Sequence, residues 1–178
     1  MKVGIAYDGW RKTGPDRYVL ENKVVVAGFS KAKEFQEYRE AVIAQEFNLD
    51  EVGQRILNAD GASWIKKVKD KSTCFQLDPF HRNKAVKEKI HEEEAQDAIL
   101  ELLREEKIEE VFRYLEIYRN SLCDDKEIED AEELIRYYEN NREGLLPYQS
   151  QGLELPEPPE GLEYRNMGTM ENHKNSTK

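Results

Sequence analysis

The hydrophobic pattern of this 178-residue chain changes period near residue 82, and that change limits the folds open to it. Before it, apolar residues come in short runs closed by acid, glycine or proline. Val3-Gly4-Ile5-Ala6-Tyr7 stops at Asp8-Gly9, and Arg55-Ile56-Leu57-Asn58-Ala59 stops at Asp60-Gly61. Runs of this kind read as buried strands ending in turns. Thr73 to Leu77 is another, stopped by Asp78-Pro79 because proline cannot extend a ladder. After a turn at Thr13 to Asp16, Tyr18 to Phe29 is rich in Val and Tyr around Glu21-Asn22-Lys23; it reads as two strands with a tight connection or as one long bent strand. Phe35, Tyr38, Val42 and Ile43 fall at helical spacing behind Ser30, an expected N-cap, in a helix ending near Phe47. Ala62 to Lys69, with Trp64, Ile65 and Val68, reads as a short amphipathic helix. Strands alternating with helices predict an α/β sheet carrying its functional groups at strand ends.

Beyond residue 82, Ile90, Ala95, Ile99, Leu102, Leu103, Ile108, Phe112 and Leu115 follow a helical period in a charged background. Two or three helices are expected, then a break at Ser121 to Asp125 and one more helix carrying Ile128, Leu134, Ile135 and Tyr138. Stripes of this kind pack on each other as core. Leu145 to Gly161, punctuated by Pro147, Gly152, Pro156, Pro158 and Pro159, reads as an extended connector, and a helix begins again near Thr169.

The net charge of −10 conceals an asymmetry. Residues 1–87 hold 16 Lys and Arg against 12 Asp and Glu, whereas residues 88–178 hold 11 against 25. The first half can meet phosphate and the second would be repelled by it. The cluster Lys66, Lys67, Lys69 and Lys71 reads as a solvated helix end. No stretch approaches the roughly 18 apolar residues of a membrane span, and the start has no cleavable apolar region, so a soluble intracellular protein is expected. Cys74 and Cys123 lack metal-type spacing and read as reduced thiols.

Phosphodiester hydrolysis or transfer at neutral pH is commonly run by two divalent ions held on oxygen ligands from a few Asp and Glu. Asp8 and Asp60 both follow strand-like runs and would converge at one sheet edge as a carboxylate metal site; taken singly, each Asp-Gly is an ordinary turn signal. Trp10 and Trp64, close behind these acids, read as core aromatics rather than base-stacking groups. Arg82 and Lys84 have a claim as DNA phosphate contacts, set against an ordinary exposed helix surface.

Five strings carry a resemblance over nearly the whole chain: YDGW at 7–10, ADGASWIK at 59–66, CFQLDPFHRNKA at 74–85, NREGLLPYQSQGLELP at 141–156 and YRNMGTMENH at 164–173. In this order they resemble the ISLre-type family of bacterial insertion-sequence transposases, which is similar to the mutator-like group. The resemblance implies a ribonuclease-H-like mixed sheet with an inserted all-helical subdomain. Residues 1–87 would be the first part of the catalytic core, 88–143 an acidic helical insertion forming a separate lobe, 144–163 a proline-rich connector, and 164–178 the start of the final core helix. Asp8 would stand on the first strand, Asp60 at the end of the fourth and Glu171 on the last helix. Together they would form a DDE triad holding two Mg²⁺ or Mn²⁺ ions for cleavage and strand transfer at transposon ends. Asp78-Pro79-Phe80-His81 resembles the aspartate–histidine signature of mutator-like enzymes and leaves Asp78 as an alternative second ligand, with His81 read as a structural histidine. Family members look longer at both ends, so the resemblance implies a truncated and inactive product. The rival expectation is a non-catalytic remnant that occupies DNA or pairs with intact transposase, as an inhibitor or without function; a homo-oligomer is the other expected assembly.

Overall fold

Residues 2–28 form one long antiparallel hairpin, broken in the middle by a bend. The computed structural model describes residues 1–62, 65, 73–165 and 167. Strand β1 (Lys2–Ala6) pairs with β4 (Val24–Gly28), and β2 (Gly9–Gly14) pairs with β3 (Arg17–Glu21). Both ladders keep one register, from Lys2 opposite Gly28 to Lys12 opposite Tyr18, with an irregularity beside the Gly14–Arg17 turn. The break falls where Asp8 faces Asn22, whose φ of 49° is left-handed and takes the chain out of the extended region. The chain therefore adopts both readings of Tyr18 to Phe29, two strands within one bent arm. Tyr7 and Trp10 meet edge to face across the bend at 4.9 Å, and Trp10 is buried, a core aromatic as expected.

Helix α1 (Ala32–Glu46) packs on the β1–β4 pair, with the Phe35 ring buried against Gly28. Its N-cap is Lys31, without a side-chain capping bond, and not Ser30. The Lys2 ammonium holds the Ser30 carbonyl at 2.6 Å, tying that residue to β1 instead. Phe47 ends the helix.

Strands β5 (Arg55–Ala59) and β6 (Thr73–Leu77) form a parallel pair. Alternation gives the pair two faces. Leu57, Ala59, Phe75 and Leu77 enter the main hydrophobic cluster, while Asn58, Cys74 and Gln76 point the other way and are hydrogen-bonded. Helices α2 (Pro79–Lys89), α3 (Glu93–Arg104), α4 (Ile108–Ser121) and α5 (Asp125–Asn140) follow in antiparallel succession. Their apolar stripes meet: Ala95, Ile99 and Leu103 of α3, Val111, Leu115 and Tyr118 of α4, and Ala131, Leu134 and Tyr138 of α5 are all buried. Burying side chains of this size contributes about 1.5–3 kcal/mol each before the entropy of ordering is counted. The extended return from residue 151 ends in β7 (Leu162–Glu163), which adds to the edge of β2 opposite Trp10 and Arg11.

The fold is thus mixed α/β. The strands lie in three hydrogen-bonded groups, β1–β4, β3–β2–β7 and β5–β6, and no ladder joins them among the described residues. Asp60 follows the fifth strand and not the fourth, because the bend at Asp8 and Asn22 divides each arm of the hairpin. Helix α2 runs across residue 87, and Phe75 and Leu77 of β6 belong to the same buried cluster as α3, α4 and α5. No helix among the described residues is long and apolar enough to cross a membrane.

Candidate functional site

Strands β5 and β6 run parallel, so their C-terminal ends bring Asp60 and Asp78 to one edge. The Asp78 N–H donates to the Ala59 carbonyl at 2.8 Å, carrying the ladder one residue past the strands. The two acids then diverge in character. Asp60 is exposed; its Oδ1 accepts the Ala62 N–H at 3.0 Å, the local turn that a short acidic side chain favours. Gly61 supplies the left-handed φ of 83° which that turn requires.

Asp78 is buried, and its carboxylate accepts from three donors: Asn58 Nδ2 at 2.8 Å, the His81 backbone N–H at 3.3 Å and His81 Nδ1 at 2.8 Å. It caps α2, with Pro79 next in line where a missing N–H costs nothing. Asn58 is fixed in turn by Gln76 Nε2 at 3.1 Å, and Gln76 Oε1 accepts the Tyr148 N–H at 2.8 Å. This chain of buried partners explains how a carboxylate is tolerated inside the fold. His81 is bonded to Asp78, as the structural reading holds, with Nδ1–H as donor when the ring is neutral.

The end of α5 closes over this edge. The Tyr137 hydroxyl donates to the Asp60 carbonyl at 2.9 Å. Burial, followed by the charges of Asp60 and Asp78, pushes its phenol up to about 12. Asn141 is buried against Gly61; its Nδ2 donates to the Tyr137 carbonyl at 2.7 Å, and its Oδ1 has no hydrogen-bond partner among the described residues. The Tyr138 hydroxyl donates to the Arg82 carbonyl at 2.9 Å.

The Arg82 guanidinium donates to the Leu145 carbonyl at 2.9 Å and to Asn83 Oδ1 at 3.1 Å. Lys84 is exposed and pairs with Glu88 at 3.4 Å. Asp8 lies at the hairpin bend, exposed, accepting from Asn22 Nδ2 at 2.5 Å. Among the described residues no three of His, Cys, Asp and Glu group so as to hold a metal ion. Glu171, Trp64 and the lysines at 66, 67, 69 and 71 lie outside the described residues. Both cysteines are free, Cys74 buried and Cys123 exposed.

A family model matches residues 1–174 over most of the chain; it is described as an uncharacterised protein family, UPF0236. The chain belongs to UPF0236. Among curated proteins and among solved structures, none matches it. In this member of UPF0236 the two acids differ in surroundings: Asp60 is exposed, whereas both oxygens of buried Asp78 accept hydrogen bonds from N–H donors. Asn58, Gln76, Tyr137 and Asn141 are absent from the sequence-based site. Asn58 and Gln76 had a signal, a polar residue two positions before the acid on each apolar strand. Tyr137 and Asn141 carried no such signal.

Proposed function

We propose that this chain is a catalytic-core portion of a DDE transposase of the ISLre type, with a ribonuclease-H-like fold and transposon-end DNA as substrate. The observation that carries the reading is Asp60: an exposed carboxylate on a fixed turn at the C-terminal end of a half-buried parallel strand pair, inside one of five family strings in family order. Open α/β sheets place ligands at that end of their strands.

In this reading Asp8, Asp60 and Glu171 hold two Mg²⁺ or Mn²⁺ ions, which supply charge stabilisation for attack by water and then by a DNA 3′-hydroxyl. Asp60 serves through a carboxylate whose backbone is fixed on both sides. Asp78 supports it as the cap of α2, and His81 supports Asp78. Lys84 faces solvent on α2 and serves as a phosphate contact, whereas Arg82 ties α2 to Leu145. Strand transfer implies a second copy or an intact transposase as partner, in the bacterial cytoplasm.

The test is strand cleavage of a duplex carrying the ends of the encoding element, with Mg²⁺ or Mn²⁺, by this chain and by one joined to the flanking family segments. Metal-dependent nicking by either chain, lost in Asp8→Asn, Asp60→Asn and Glu171→Gln, is the expected result. Nicking that survives Asp60→Asn would remove the reading.

A further inference from the structure

We infer that Tyr137 and Asn141, at the end of α5, are positioning residues that aim the Asp60 carboxylate. The inference rests on the reading of Asp60 as a metal ligand and assigns the helical region a part in that site. Four restraints converge on three consecutive residues. The Ala59 carbonyl just before Asp60 is held by the Asp78 N–H at 2.8 Å, the Asp60 carbonyl by the Tyr137 hydroxyl at 2.9 Å, and Asp60 Oδ1 by the Ala62 N–H at 3.0 Å. Gly61 sits so close to Asn141 that a Cβ there would lie 2.6 Å from its Oδ1.

Asn141 is itself immobile, fully buried and bonded to the Tyr137 carbonyl at 2.7 Å. The end of α5 therefore fixes the peptide that follows Asp60, and the Asp78 N–H the one that precedes it, while Asp60 keeps its carboxylate in solvent. A hydroxyl reaching 77 residues back along the chain to a single carbonyl is a long-range restraint on direction. Its loss frees the turn to rotate without emptying any core position, because Tyr137 is only half-buried.

The experiment compares the wild-type chain with Tyr137→Phe, Asn141→Ala, Asp60→Asn and Asp60→Asn/Tyr137→Phe, using Mn²⁺ alone as the probe and amide NMR of the ¹⁵N-labelled chains. Tyr137→Phe is expected to keep the far-UV spectrum and to shift the amide signals of Asp60, Gly61 and Ala62. It should weaken Mn²⁺ binding on the order of tenfold, the range for residues that orient a ligand. The double variant should bind no more weakly than Asp60→Asn alone. Tyr137→Phe with wild-type affinity and undisturbed signals would overturn the inference; if Tyr137→Phe does not fold, the same outcome in Asn141→Ala overturns it. If Asp60→Asn leaves Mn²⁺ binding unchanged, Asp60 is not a ligand and the proposed function fails. The amide signals then decide positioning alone: disturbed in Tyr137→Phe they support it, undisturbed they overturn it.

Discussion

Glu106 sits between α3 and α4 with a φ of 61°, where its N–H and that of Lys107 bond back to Leu103 and Leu102 to finish α3. A side chain in this left-handed position costs about 1–2 kcal/mol, and glycine is the usual occupant. Glu106→Gly should raise stability by about 0.5–1 kcal/mol, seen as a higher urea midpoint at unchanged slope. Gly144 presents the opposite case: a Cβ there would lie 2.5 Å from the Phe75 ring and 2.8 Å from the Leu77 nitrogen. Gly144→Ala should cost about 1–3 kcal/mol, measured the same way, because a packed interior resists added volume. At this scale the sequence is legible in part. Asp60-Gly61 reads as a turn and is one, with Gly61 left-handed. Asp8-Gly9 reads the same, yet Gly9 continues into a ladder opposite Glu21, because the bend is made by Asn22 on the facing arm.

Helices are where pattern and structure agree most closely. The period that links Ile99 to Leu103 and Leu134 to Tyr138 can be seen in sequence because burial on one face of a helix selects it. Their ends are less legible. Asp124 caps α5 by accepting the N–H groups of Lys126 at 2.9 Å and Glu127 at 3.0 Å, and Asp124→Ala should cost about 1 kcal/mol in chemical denaturation. Ser30, which looks like as good a cap, is diverted by Lys2 from a strand that only the folded chain brings near. Strand β2 escapes a pattern-based reading because Arg11-Lys12-Thr13 is polar and exposed; pairing with β3 and β7 holds it extended, not burial.

For the molecule as a whole, charge divides the sequence near residue 87 and the core ignores that division. Charge patterning reports on surfaces, and the surfaces of α3 to α5 are acidic while their buried faces accept Phe75 and Leu77. The staple between α2 and α5 is electrostatic: buried Asp130 is bonded by Lys89 at 2.8 Å, His91 Nε2 at 3.2 Å and Lys126 at 3.3 Å. The Lys89 bond first, then that of His91, holds its carboxyl well below the usual carboxylate range. A depressed folded value stabilises the fold above the unfolded value of about 3.9, and the contribution is lost as pH falls below it. Stability measured against pH should therefore drop below about pH 4 in the wild type, and that part of the drop should be absent in Asp130→Asn, which should start lower at neutral pH.

The shared core also sets a timetable for synthesis. Phe75 and Gly144, which lie in contact, are separated by about 70 residues of chain. At about 5–20 residues per second, β6 waits roughly 4–14 s on the ribosome before the helices that cover it have been made. During that interval a nascent chain exposes an apolar strand with open edges, the kind of segment that chaperones bind and that aggregates when they do not.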